Sequence, residues 1–114
     1  MRLRLLGYDI FIQKVEKRVG LHKMLSMVSL YTGVSYDELT GQGRRADIVR
    51  ARMFYYKLAR MSGYTLSEIA VSVNHNHSTV IHQLKKFEDL TDERQLYFDE
   101  VLFNEFEDLK SKIL

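Results

Sequence analysis

A chain of 114 residues, 46% hydrophobic and 28% charged, has the size and make-up of one domain that buries a core without staples. It contains no cysteine, which excludes disulfides and thiolate metal sites, and it has no apolar run long enough to span a membrane. The net charge of +2 conceals an asymmetry: residues 1–90 hold fourteen Lys/Arg against eight Asp/Glu, and residues 91–114 hold three against seven. The first part therefore carries +6 and suits a polyanion, whereas the tail carries −4 and does not.

With no proline and only six glycines, and with Leu, Met, Glu, Lys and Arg common, helix is favoured almost everywhere. The expected fold is all-α, one compact helical domain over residues 1–114. The first stretch, MRLRLLGYDIFIQKVEKR, places Leu3, Leu6, Ile10 and Val15 at helical spacings among charges. This predicts an N-terminal helix to about Arg18 rather than a signal peptide. Leu21, Met24, Leu25, Val28 and Tyr31 share one face of a second helix that ends at Gly33.

Two start signals of one kind follow. Ser35 with Glu38 is a capping box, with Val34 and Leu39 as its hydrophobic staple, so a short helix begins at Tyr36. Thr65 with Glu68 repeats the device, with Tyr64 and Ile69 as staple. Between them GQGRRADIVRAR is a glycine-broken basic loop feeding a helix from about Ala46 to Ser62, which Gly63 terminates.

From Thr65, TLSEIAVSV reads as a helix of about two turns with Leu66, Ile69, Ala70 and Val73 inward. HSTVIHQLKKFEDL reads as another, burying Val80, Ile81, Leu84 and Phe87. Two short helices joined by a polar turn, NHN, form a helix-turn-helix, and small Ala70 stands where the two cross. Asn74 occupies the turn position where glycine is common, and asparagine tolerates the left-handed conformation well. The last segment, residues 91–114, puts Phe98, Leu102, Phe106, Leu109 and Ile113 on one face with acids opposite, which predicts an acidic amphipathic helix. It packs either on the domain's own core or on a protein partner or second copy.

The stretch NHNHSTVIHQLKK concentrates three of the four histidines. On a helix starting near His77, Ser78, Thr79, His82, Lys85 and Lys86 lie largely on the outer side and Asn76 caps the first turn. Residues at the start of the second helix reach base edges in the major groove, and lysines one or two turns later lie near phosphates. A half-buried His82 packed near Phe87 is the competing reading. A metal site is not expected, because His77 and His82 stand on different helix faces and no acid or cysteine completes the set. Nor is catalysis, since Ser78 has no nucleophile elbow and no orienting acid.

Residues 28–90, VSLYTGVSYDEL through VRARM, TLSEIA and NHSTVIH, resemble the C-terminal DNA-binding domain of the bacterial replication initiator DnaA, with four motifs in the family's order. The resemblance implies sequence-specific binding of duplex DNA, with Arg44 matching a minor-groove arginine and Arg50 and Arg52 matching the arginines that flank the family's proline. Asn76, His77, Ser78 and Thr79 match the family's Asp-His-Thr-Thr. The turn is shorter here, with His75 near the place of the family's arginine, Asn76 stands for aspartate and Ala51 for proline, so what is read is expected to change. Arg45 belongs to the same basic loop, where guanidinium groups suit groove and phosphate contacts.

No G-x-x-x-x-G-K-[ST] phosphate loop occurs. The chain is therefore expected to be a stand-alone relative without the ATPase domain, needing no nucleotide or other cofactor, and to be cytoplasmic and nucleoid-associated. Its expected partner is double-stranded DNA, in replication control or transcriptional regulation. The alternative is an interaction domain of the same fold that works through residues 91–114. The charge split raises one further expectation, an acidic tail that covers the basic face until DNA displaces it.

Overall fold

The computed structural model describes residues 19–114, so the helix expected up to Arg18 lies outside them. Among the described residues there are six helices and no strand: α1 (Leu21–Thr32), α2 (Tyr36–Thr40), α3 (Ala46–Met61), α4 (Leu66–Val73), α5 (His77–Leu90) and α6 (Glu100–Ile113). The all-α expectation holds for them.

Each boundary has a local cause. Gly33 ends α1 in the left-handed region at φ 79°, with its N–H donating to the Ser29 carbonyl. The Ser35 and Glu38 pair forms the reciprocal box at the start of α2, Glu38 N–H to Ser35 Oγ at 3.1 Å and Ser35 N–H to Glu38 Oε1 at 3.1 Å. Thr65 and Glu68 do the same for α4, at 3.1 and 2.8 Å. Both staples are inside, since Val34, Leu39, Tyr64 and Ile69 are all buried.

Helix α3 is the spine, buried on nearly every side, and it packs against α1, α2, α4 and α5. Its Phe54 meets Phe87 of α5 and Phe106 of α6, with ring centroids 6.1 and 5.9 Å away; Phe87 and Phe106 are 5.1 Å apart. These edge-on and tilted geometries are the ones the ring quadrupole favours. They fasten α6 to the domain's own core, together with buried Leu102 and Leu109 and the Tyr31 hydroxyl, which donates to Asp108 Oδ2 at 2.9 Å.

Two sequence expectations need correction. Residues 91–99 are not helical: Asp92 accepts from the Arg94 backbone and pairs with its guanidinium, and turns run from there to Asp99. Helix α6 starts only where the Asp99 side chain accepts from Leu102 N–H at 3.0 Å. Ile81 was placed inward but is 43% exposed. The inner stripe of α5 is narrow, just Val80, Leu84 and Phe87 at spacings of four and three, and Ile81 sits beside it.

Candidate nucleic-acid interface

The turn between α4 and α5 sets the direction of α5. Asn74 takes φ 57°, ψ 41°, the left-handed conformation that L-residues other than glycine and asparagine enter at a cost. Its N–H reaches the Val71 carbonyl at 3.1 Å and the His75 N–H reaches the Ala70 carbonyl at 2.9 Å, the paired bonds of a Schellman ending. Asn76 then opens α5, its Oδ1 accepting from Ser78 N–H at 2.8 Å and from the Ser78 hydroxyl at 2.6 Å. The amide NH₂ of Asn76 stays available as a donor, which the aspartate of the resembling motif lacks.

The loop before α3 is built around one buried side chain. Arg52 is 5% exposed, and its guanidinium donates to the carbonyls of Leu39 (3.0 Å), Gly43 (2.7 Å), Glu38 (2.8 Å) and Gly41 (2.7 Å). Arg52 is therefore not the exposed surface cation that the sequence suggested, although it lines the cleft described below. It folds the loop that presents Arg44. Burial also lowers its pKa from the ordinary arginine value. Gly41 admits no side chain, because a Cβ there would lie 2.9 Å from the Asp37 carbonyl oxygen.

Loop and turn are fastened to each other. A His75 ring nitrogen, Nε2, lies 2.6 Å from the Gly41 carbonyl, and because a carbonyl only accepts, this nitrogen carries the hydrogen. Gln42 Nε2 donates to the Asn74 carbonyl at 3.4 Å. The Gly41 oxygen thus serves both Arg52 and His75, and joins the two candidate reading elements.

Between them runs a partly open cleft of about 950 Å³. Of the residues expected at the interface, Arg44, Arg52, Asn76, Ser78, Thr79, His82 and Lys86 line it. His77 and Lys85 are exposed but stand outside it, and His82 is exposed rather than packed inside. Arg45 is engaged elsewhere, at 2.7 Å from Asp47 and 3.0 Å from Glu38, contacts that raise its pKa; the Ser35 N–H and then Arg45 hold the Glu38 carboxyl below the usual range, and Arg45 does the same for Asp47. Arg50 faces Glu105 of α6 across 3.8 Å. No residue of 91–114 lines the cleft, so the expected covering of the basic face by the acidic tail does not occur in this structure; Arg50 alone of the expected contacts meets α6.

Sequence reading passed over Tyr56 and Gln83, which also line the cleft. Tyr56 is fully buried, its hydroxyl has no hydrogen-bond partner among the described residues, and burial pushes its pKa up to about 12. The i, i+4 spacing of Arg52 and Tyr56 on α3 was the signal that could have found it. Among the described residues no cluster of three or more metal-ligating side chains occurs, and no helix is long and apolar enough to cross a membrane.

A buried helical core that presents a short helix, a three-residue turn and an exposed second helix beside a basic loop defines a helix-turn-helix protein. The chain belongs to the family described as the bacterial DnaA protein helix-turn-helix, a DNA-binding domain family, which matches residues 21–87. That match takes in α1, seven residues before the start at residue 28 read from the sequence. The chain is similar to the chromosomal replication initiator protein DnaA of Kosmotoga olearia, 38% identical over 66 residues, 57% of this chain and 15% of that protein. To the protein of the same name from Pseudothermotoga lettingae it is 30% identical over 76 residues, 66% of this chain and 17% of that one. The matched stretches are thus only about a sixth of the length of these relatives.

Proposed function

We propose that the protein binds double-stranded DNA sequence-specifically, with the start of α5 in the major groove and the Arg44 loop in the neighbouring minor groove, in the control of replication initiation or of transcription. The observation that carries this reading is the convergence of Arg44, Asn76, Ser78, Thr79, His82 and Lys86 on one cleft whose lining contains no carboxylate. Asn76, Ser78 and Thr79 supply donors and acceptors for base edges, whereas Lys86 and the exposed Lys85 suit phosphates. The alternative, an interaction domain working through residues 91–114, has less to work with, because Leu102, Phe106 and Leu109 are spent on the chain's own core.

The test is fluorescence anisotropy of the protein with a labelled duplex carrying the initiator's box and with a scrambled duplex, across a salt series. The expected result is a preference for one sequence with affinity that falls steeply as salt rises. If the two duplexes bind alike, selection from a random pool decides whether another sequence is preferred. Absence of binding at low salt would overturn the reading.

A further inference from the structure

We propose that the floor of the cleft is a phosphodiester site, where the Tyr56 hydroxyl donates to a non-bridging oxygen of one DNA strand beside the buried guanidinium of Arg52. This rests on the DNA-binding reading and adds residues that neither base readout nor the exposed lysines require.

Three independent features point to an anion there. The Tyr56 hydroxyl is buried with no partner among the described residues, a state buried polar groups rarely keep. Arg52 carries a buried positive charge for which no carboxylate partner stands among the described residues; four carbonyls occupy four of its five N–H groups, leaving one. A buried charge without a counter-charge is costly, and an anion in the cleft relieves it. Finally, the lining holds Arg44, Arg52 and Lys86 and not one Asp or Glu. Gln83 adds a side-chain oxygen, also buried and without a partner, and turning its amide presents the NH₂ group instead.

Geometry selects a strand phosphate over another anion. The major and minor grooves of a duplex are separated by a sugar-phosphate backbone, so a protein that places α5 in one and the Arg44 loop in the other must pass one strand between them. The cleft lies between these two elements, lined from both. The His75 and Gln42 bonds that join loop to turn hold the spacing of its walls.

The experiment compares the full chain with Tyr56→Phe, which removes only the hydroxyl, after thermal melts establish that both fold. Each is titrated into the duplex that the wild type binds best, and into versions in which one phosphate at a time is a neutral methylphosphonate. Tyr56→Phe is expected to bind about three- to ten-fold more weakly. Its salt dependence should be unchanged, because no charge is lost. At one position the methylphosphonate should weaken the wild type several-fold more than the variant, the non-additivity expected of groups in contact. Equal affinity of the two proteins, or additive losses at every position, overturns the phosphate site while leaving DNA binding intact. Wild type that binds no duplex overturns the DNA-binding reading itself. Competition by inorganic phosphate beyond that of chloride at equal ionic strength, lost in Tyr56→Phe and without a coupled duplex position, overturns the strand as occupant in favour of free phosphate.

Discussion

The loop-and-turn side of the molecule and the α6 side handle charge in opposite ways. On the α6 side every cation has an acid beside it: Arg94 with Asp92 at 3.0 Å, Lys110 with Glu107 at 2.9 Å, Lys112 with Asp108 at 3.1 Å. On the other side Arg44, Lys85 and Lys86 have no ion pair among the described residues, and Arg52 is held by carbonyls alone. Local pairing neutralises a face; its absence leaves a positive potential that reaches solvent. Among the described residues the molecule thus has two surfaces, one self-satisfied at its cations and one whose Arg44, Lys85 and Lys86 are left without an acid.

The largest effects should come from what holds each side to the core. Phe106→Ala removes the ring that joins α6 to Phe54 and Phe87 and is expected to cost about 3 to 5 kcal/mol of stability, read from urea unfolding. A loss under about 1 kcal/mol would show that α6 is not part of the cooperative unit. Next comes Arg52→Ala, which strands four carbonyls at the end of α2 and in the loop after it and should cost about 2 to 3 kcal/mol in the same assay. Arg52→Lys should rescue little of it, because a single ammonium does not reproduce the planar fork. Weaker again, Lys86→Ala should leave stability unchanged while lowering the slope of log affinity against log salt by about one unit. Lys112→Ala, whose lysine already pairs with Asp108, should leave that slope alone; equal slope changes for the two lysines would erase the contrast between the faces.

Much of this was legible in the residues because the signals are local. Both capping boxes, the glycine endings and the left-handed Asn74 depend on neighbours within four positions, and each fell where the sequence put it. What could not be read depends on distance in the chain. The register of the apolar faces gave no hint that residues 91–99 break into turns, since Asp92 and Asp99 satisfy backbone groups that a continuous helix would have used. Arg52 illustrates the same limit more sharply. An arginine in a basic stretch reads as a surface cation, and only the path of residues 38–43 around it, with partners 9 to 14 positions away, turns it into a buried fastening. His75 is similar, a turn residue whose partner, Gly41, lies 34 positions earlier.

The smallest expected effect is the pH dependence of the self-satisfied side. The Arg94 guanidinium and backbone hold the Asp92 carboxyl at about 2, below its ordinary 3.8. A carboxyl whose folded pKa is depressed contributes stability that is fully present above the unfolded value and is lost as pH falls through the folded one. The contribution of this pair should therefore be constant above about pH 4 and vanish by about pH 2. Because Arg94 is 88% exposed, solvent screens the pair and the change should be shallow. Asp92→Asn is the measurement: its melting temperature should fall slightly below wild type at about pH 6 and converge with it in strong acid. Convergence in the opposite direction, with the variant less stable only at low pH, would mean that the 91–99 turn depends on a protonated Asp92 and not on its ion pair. The acid-free cleft should then still stand, because Arg44 and Lys86 there take part in no ion pair among the described residues.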